Sequence, residues 1–153
     1  MKTLVLGIGN LFLGDEGLGV HAARKLLEEE LPEGSKVLDV GTSILDTLSE
    51  LEQTDRLIVI DAIKGKGIPG TIYRMRIERC NSPQDIDSMH KFDIFAVLAL
   101  TGNNKPTEVI ALGIEPAKLD WSVELSPEVS KALPFLVESV KREITGQHPY
   151  FQL

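Results

Sequence analysis

The sequence predicts an α/β fold: a three-layer sandwich, with a five-stranded mixed sheet, one edge strand antiparallel, between layers of helices. Three observations predict it. Short apolar runs recur at residues 3–8, 36–40, 57–61 and 108–114, and "LIVIDA" and "EVIALGI" are apolar throughout, as suits strands buried on both faces. Helical patterns lie between these runs. The connection after "LIVID" is "AIKGKGIPG", nine residues with three glycines and one proline. A parallel return needs a dozen or more residues, so the next strand, "TIYRMRIE", must run antiparallel.

Each element has its own signal. From Leu18 to Leu31, Val20, Ala23, Leu27 and Leu31 form an apolar stripe, while His21, Arg24, Lys25 and Glu28 fall on the polar face. "ILDTLSELEQ" is a second, shorter helix. In "TIYRMRIE", Tyr73, Met75 and Ile77 alternate with Arg74 and Arg76, the pattern of a half-exposed edge. "FDIFAVLAL" reads as a helix because alanines and Leu spacing favour one. In "SPEVSKALPFLVESVKREI", Ser126 is the N-cap and Pro127 the first helical residue. Val129, Leu133, Leu136, Val140 and Ile144 share a face, and Pro134 is expected to bend or split the helix.

The 153 residues suit one domain, 1–153, with 42% apolar and 25% charged residues. No apolar run approaches the ~20 residues of a membrane span, and "MKTLVLGIGN" reads as a first strand rather than a signal peptide. Cys80 is the sole cysteine, so no intrachain disulfide forms, in keeping with a cytoplasmic location. A net charge of −7 argues against a nucleic-acid partner.

The stretch "GIGNLFLGDEGLG", Gly7–Gly19, follows the first strand and holds five glycines. A dinucleotide loop needs a third glycine where Phe12 stands, a P-loop needs a lysine, and Asp15 and Glu16 would repel phosphate. The glycines either permit tight strand–helix packing alone or shape a turn that presents a carboxylate. Asp39 in "LDVGT" and Asp61 in "IVIDA" end other strands, and ligands of open α/β sheets bind at carboxyl ends of strands. Burying such acids unpaired is costly, so their convergence on a site is a real alternative to packing. Of the histidines, His21 is expected to be solvated and His148 lies in the tail. His90 in "SMHKFDIF" is either a surface or capping residue or a ligand reaching the crevice.

"GIGNLFLGDEGLGVHAARKL", "DVGT", "VIDA", "MHKFDIFAVLAL" and "GIEP…WSVELSPEV", in this order, resemble the hydrogenase maturation endopeptidases over about residues 2–145. That family removes a C-terminal peptide from the large-subunit precursor of nickel–iron hydrogenases. The resemblance implies a twisted five-stranded sheet sandwiched by helices. It also implies a cytoplasmic, monomeric endopeptidase whose metal-binding residues are Glu16, Asp61 and His90, and whose nickel arrives inside the precursor. Glu16 and Asp61 are then catalytic through the metal. Asp39 is a catalytic candidate for orienting or deprotonating water, with capping of the helix after "GT" as the alternative.

Two carboxylates and one imidazole leave a divalent metal open positions for a ligand brought by a partner. Self-contained protease motifs are absent: there is no H-E-x-x-H, no G-x-S-x-G around Ser43, and no nucleophile context at Cys80. Trp121 and Glu115 are weaker candidates for contact with the precursor, and Phe12 and Leu13 either line the cleft or are buried. Two rival readings stand: a nickel-dependent maturation chaperone that binds without cutting, and a peptidyl-tRNA hydrolase-like enzyme, which shares only the "VLGIGN" turn.

Overall fold

A computed structural model describes residues 1–77, 98–102 and 106–147 of the chain. Among the described residues, β1 (Thr3–Ile8), β2 (Ser35–Gly41), β3 (Arg56–Ala62), β4 (Ile72–Arg76) and β5 (Glu108–Ile114) form one sheet in the order β2-β1-β3-β5-β4. The pairings β1–β2, β1–β3 and β3–β5 are parallel, and β4 lies antiparallel to β5 at the edge. The short glycine-rich connection therefore does what its length dictates. Every residue of β1 and β3 is buried, as continuous apolar runs require when both faces of a sheet are covered.

Two cores hold the layers together. On one face α1 (Leu18–Leu27) and α3 (Pro127–Thr145) pack against Val5, Ile58, Ile60, Ile110 and Leu112. On the other, Leu4, Leu6, Leu57 and Val59 meet Ile44 and Leu51 from a 3-10 turn (Ile44–Thr47) that runs into α2 (Leu48–Glu52). Ile77 and Leu98 also pack on this second core, so both ends of the chain between them return to that face. Of the helix expected at 92–100, residues 98–100 are helical and the rest lies outside the described residues, as do Cys80, His90 and His148.

The helix α1 departs from expectation, and in α3 the proline does not split the helix. The helix α1 ends at Leu27 rather than Leu31, and it buries Leu18, Gly19, Val20, Ala22, Ala23 and Leu26. Leu27 is exposed, because the i, i+4 series through Leu18, Ala22 and Leu26 faces the sheet and turns its neighbour outward. The helix α3 is continuous through Pro134. Pro134 and Phe135 stand on the solvent face, so the carbonyl of Ser130, which loses its helical donor, opens to water, while Leu133, Leu136 and Val137 stay in the core. The caps are as read: Ser126 accepts from the Val129 N–H, Pro127 follows, and Gly146 closes the end at φ 75°.

The edge arginines are not simply solvated. Glu143, 1% exposed, is bound by Arg56 of β3 and Arg74 of β4, with Arg74 Nε at 2.8 Å. Arg56 Nε also reaches Glu108 at 2.9 Å, and the hydrogen bond from Arg74 to the Glu143 carboxylate raises the Arg74 pKa above its usual value. The network clamps the end of α3 to the sheet edge. Removing one partner of such a pair leaves a buried charge uncompensated. Glu143→Ala is expected to lower the unfolding free energy by about 3–5 kcal/mol, measured by urea denaturation.

Candidate active site at the carboxyl rim of the sheet

The loop after β1 is built by close backbone approach. Gly9 has φ +137°, and a Cβ there would overlap the Glu16 carbonyl oxygen. A Cβ on Gly19 would overlap the carbonyl oxygens of Ile8 and Ile60, so the first turn of α1 rests directly on the ends of β1 and β3. Asn10 helps by forming a local turn, its Oδ1 accepting from the Phe12 N–H at 2.9 Å. The segment Gly14–Gly17 is a 3-10 turn leading into α1.

The two acids of this turn have different fates. Asp15 is fully buried, and both its oxygens are taken. Oδ2 accepts from the Ala117 N–H at 2.8 Å, the Lys118 N–H at 2.9 Å and the Ser126 hydroxyl at 2.8 Å, while Oδ1 accepts from the Ser126 N–H at 2.8 Å. The loop is zipped further to this segment by Gly14 N–H to Ser122 C=O and Ser122 N–H to Phe12 C=O, each 2.9 Å. Asp15 is thus a staple, and the half-buried Glu16 is the carboxylate that the turn presents at the rim.

Asp61, 1% exposed, is the penultimate residue of β3, opposite Gly113 of β5, and its Oδ1 accepts from the Ala62 N–H at 2.8 Å. Because Ile60 and Ala62 belong to the α1/α3 core, the pleat sets Asp61 on the opposite face, the one to which Ile77 and Leu98 return. Asp39 lies opposite Gly7, one residue before the register shift between β1 and β2. Its Oδ2 accepts from Arg24 Nε of α1 at 2.9 Å. It does not cap the turn that follows: Ser43 holds that position, without a side-chain cap bond. Glu16, Asp39 and Asp61 share the carboxyl rim of three parallel strands, but Asp39 stays with α1 rather than joining Asp61. Among the described residues no group of three His, Cys, Asp or Glu side chains gathers as a metal site, and His90 is outside them.

Other candidates are redistributed. Glu115 is 7% exposed, and its Oε1 accepts from the Gly65 N–H at 2.8 Å, the Gly67 N–H at 3.0 Å and the Tyr73 hydroxyl at 2.9 Å. It fastens the loop after β3. Burial and the neighbouring Glu115 carboxylate push the Tyr73 pKa up. An open groove of about 520 Å³ lies along this loop, lined by Lys64, Lys66, Glu115, Pro116, Ala117 and Leu119. Trp121 is 82% exposed and Phe12 58%.

His21 is half-buried rather than solvated: its Nε2 is shielded and, among the described residues, has no hydrogen-bond partner. Desolvation, then Arg24 and Lys25, lower its pKa, against a weaker upward pull from Asp39. Asp15 carried no signal by which its role could be read, since its partners lie more than a hundred residues away.

Asp15→Asn replaces an acceptor-only group with one that brings two donors against four donors, and is expected to lower stability by at least about 3 kcal/mol, measured by denaturant unfolding. His21 makes stability pH-dependent. Its folded pKa is below the unfolded value of about 6.5, so the unfolded chain takes the proton first and stability falls as pH drops below about 6.5. The stability of wild type relative to His21→Gln, followed by unfolding from pH 8 to 5, is expected to decline through that window.

The family model described as hydrogenase maturation protease matches residues 20–143. The hydrogenase 2 maturation protease of Escherichia coli K12 is 32% identical over 149 residues, covering 92% of this chain and 88% of that protein. The hydrogenase expression/formation protein HupD of Rhodobacter capsulatus is 33% identical over 150 residues, covering 94% and 71%. The solved structure of the hydrogenase maturating endopeptidase HybD from E. coli superposes with a TM-score of 0.83 at 30% identity, over 95% of this chain and 93% of that one. With its mixed five-stranded sheet and covering helices, the chain belongs to the hydrogenase maturation protease family.

Proposed function

We propose that the protein is an endopeptidase that removes the C-terminal extension of a nickel–iron hydrogenase large-subunit precursor, and that it recognises nickel already inserted there. The carrying observation is that Glu16 and Asp61 stand at one rim, brought there by neighbouring parallel strands and by the close seating of Gly19 on Ile60. Residues 78–97, which include His90, join Ile77 to Leu98, and both of those pack on the face toward which Asp61 projects. As a ligand set, two carboxylates and one imidazole suit a borderline divalent ion such as nickel and leave positions for the precursor's own ligands.

In this reading the nickel belongs to the substrate. A precursor lacking it forms no bond to Glu16, Asp61 or His90, and is not processed early. Water adds across the scissile amide, giving a new carboxyl terminus and a free amine on the released peptide. Asp39 is the proposed group for orienting that water or taking its proton: Arg24 holds Oδ2, and Oδ1 has no donor among the described residues. The groove beside Lys64 and Lys66 is the proposed path for the extended tail.

Mass spectrometry of the precursor tail tests the reading. Wild-type protein is expected to release the peptide from nickel-loaded precursor and not from the metal-free form. Glu16→Gln, Asp61→Asn and His90→Ala are each expected to abolish release while retaining wild-type circular dichroism. Cleavage at the wild-type rate by any two of them contradicts the metal role. A precursor bound but never cut identifies a chaperone instead.

A further inference from the structure

The loop that carries Glu16 also carries an apolar surface. Leu13 and Ser122 form a parallel β-bridge, which sets Phe12 beside Trp121, one position before the bridge on each segment. Phe12 is 58% exposed, Trp121 82% and Val123 58%. Leu27, Leu45 and Phe135 are also exposed, but on three separate elements, whereas these three adjoin on one two-segment ribbon. The ribbon is rigid: the Phe12–Ser122 and Gly14–Ser122 bonds hold it, and buried Asp15 braces both segments from below. Large aromatics held open to water on a fixed backbone, rather than folded back onto it, are the composition and pre-organisation of a protein-binding hot spot.

We propose that Phe12, Trp121 and Val123 dock the folded body of the precursor whose tail is cut, which rests on the function proposed above. Continuity identifies the occupant. The Glu16 N–H bonds the Leu13 carbonyl at 3.2 Å, so the candidate site and the patch are parts of one braced loop. A protein whose chain end reaches Glu16 brings its own surface over residues 12–13 and 121–123. Exposed Asp120 and Glu124 flank Trp121 and Val123, so the matching surface is apolar at its centre with Lys or Arg at its rim.

Trp121 is the only tryptophan, which gives a direct probe. Protein labelled with 5-fluorotryptophan has one fluorine resonance, and it is followed while unlabelled nickel-loaded precursor is added and tail release is read by mass spectrometry in the same tube. The resonance is expected to shift on addition. Phe12→Ser is expected to weaken the apparent affinity at least tenfold without changing the melting temperature, and Phe12→Ser/Trp121→Ser to raise the KM for cleavage at least tenfold. A shift without cleavage supports docking and counts against the protease reading alone. Cleavage with an unmoved resonance, or with an unchanged KM in the double variant, overturns the docking surface alone. A resonance that moves only with the protein's own concentration assigns the patch to a second copy and overturns the proposal.

Discussion

The site region depends on one buried carboxylate. Asp15 collects four donors from Ala117, Lys118 and Ser126, and so joins the loop after β1 to the segment before α3. A carboxyl group with no solvent contact is tolerated only when its oxygens are hydrogen-bonded, and here both are. The bond to the Ser126 N–H also fixes the entrance of α3, the helix that completes one core. The same staple holds the turn that presents Glu16 and the ribbon that exposes Phe12 and Trp121. Of this local acidic doublet, Asp15 is fully buried and braces the loop, while Glu16 is half-buried at the rim.

Glu115 repeats this logic across the groove. Its Oε1 gathers two loop N–H groups and the Tyr73 hydroxyl, so the glycine-rich loop after β3 is held from within. The 115–126 segment is therefore pinned on one side to the Glu16 loop and on the other to the loop that follows Asp61. Rigidity in both loops favours a recognition surface formed in advance of the partner.

The strands were legible because parallel strands buried on both faces are written as unbroken apolar runs, and the antiparallel edge because nine residues cannot make a crossover. The buried face of α1 was misassigned at the Leu26–Leu27 pair, where either leucine satisfies a helical period and only the sheet decides between them. Of the two effects expected of Pro134, a split does not occur, in keeping with its place on the solvent face of the helix. For the site, strand-end position and motif resemblance singled out Glu16, Asp39 and Asp61, and the rim is where the structure has them. The long-range staples were invisible, since Asp15 and Glu115 are defined by partners that no local pattern announces. The exposure of Trp121 has no local sequence signal, since it comes from the pairing of its segment with the loop after β1.

The face of the sheet also separates roles that the sequence could not. Asp61 projects toward the second core, whereas Asp39 is held by Arg24 on the α1 side. Asp61 and the proposed water-activating Asp39 thus approach the rim from opposite faces, and a scissile bond between them would be reached from both.

Crystals of the protein grown with nickel, examined by anomalous diffraction at the nickel edge, test the shared metal grip most directly. The expected result is one ion at the rim, with a carboxylate oxygen of Glu16, one of Asp61 and a ring nitrogen of His90 each within about 2.0–2.2 Å. An ion held by other side chains, or a His90 imidazole on the α1 face while Asp61 projects to the other, would contradict it.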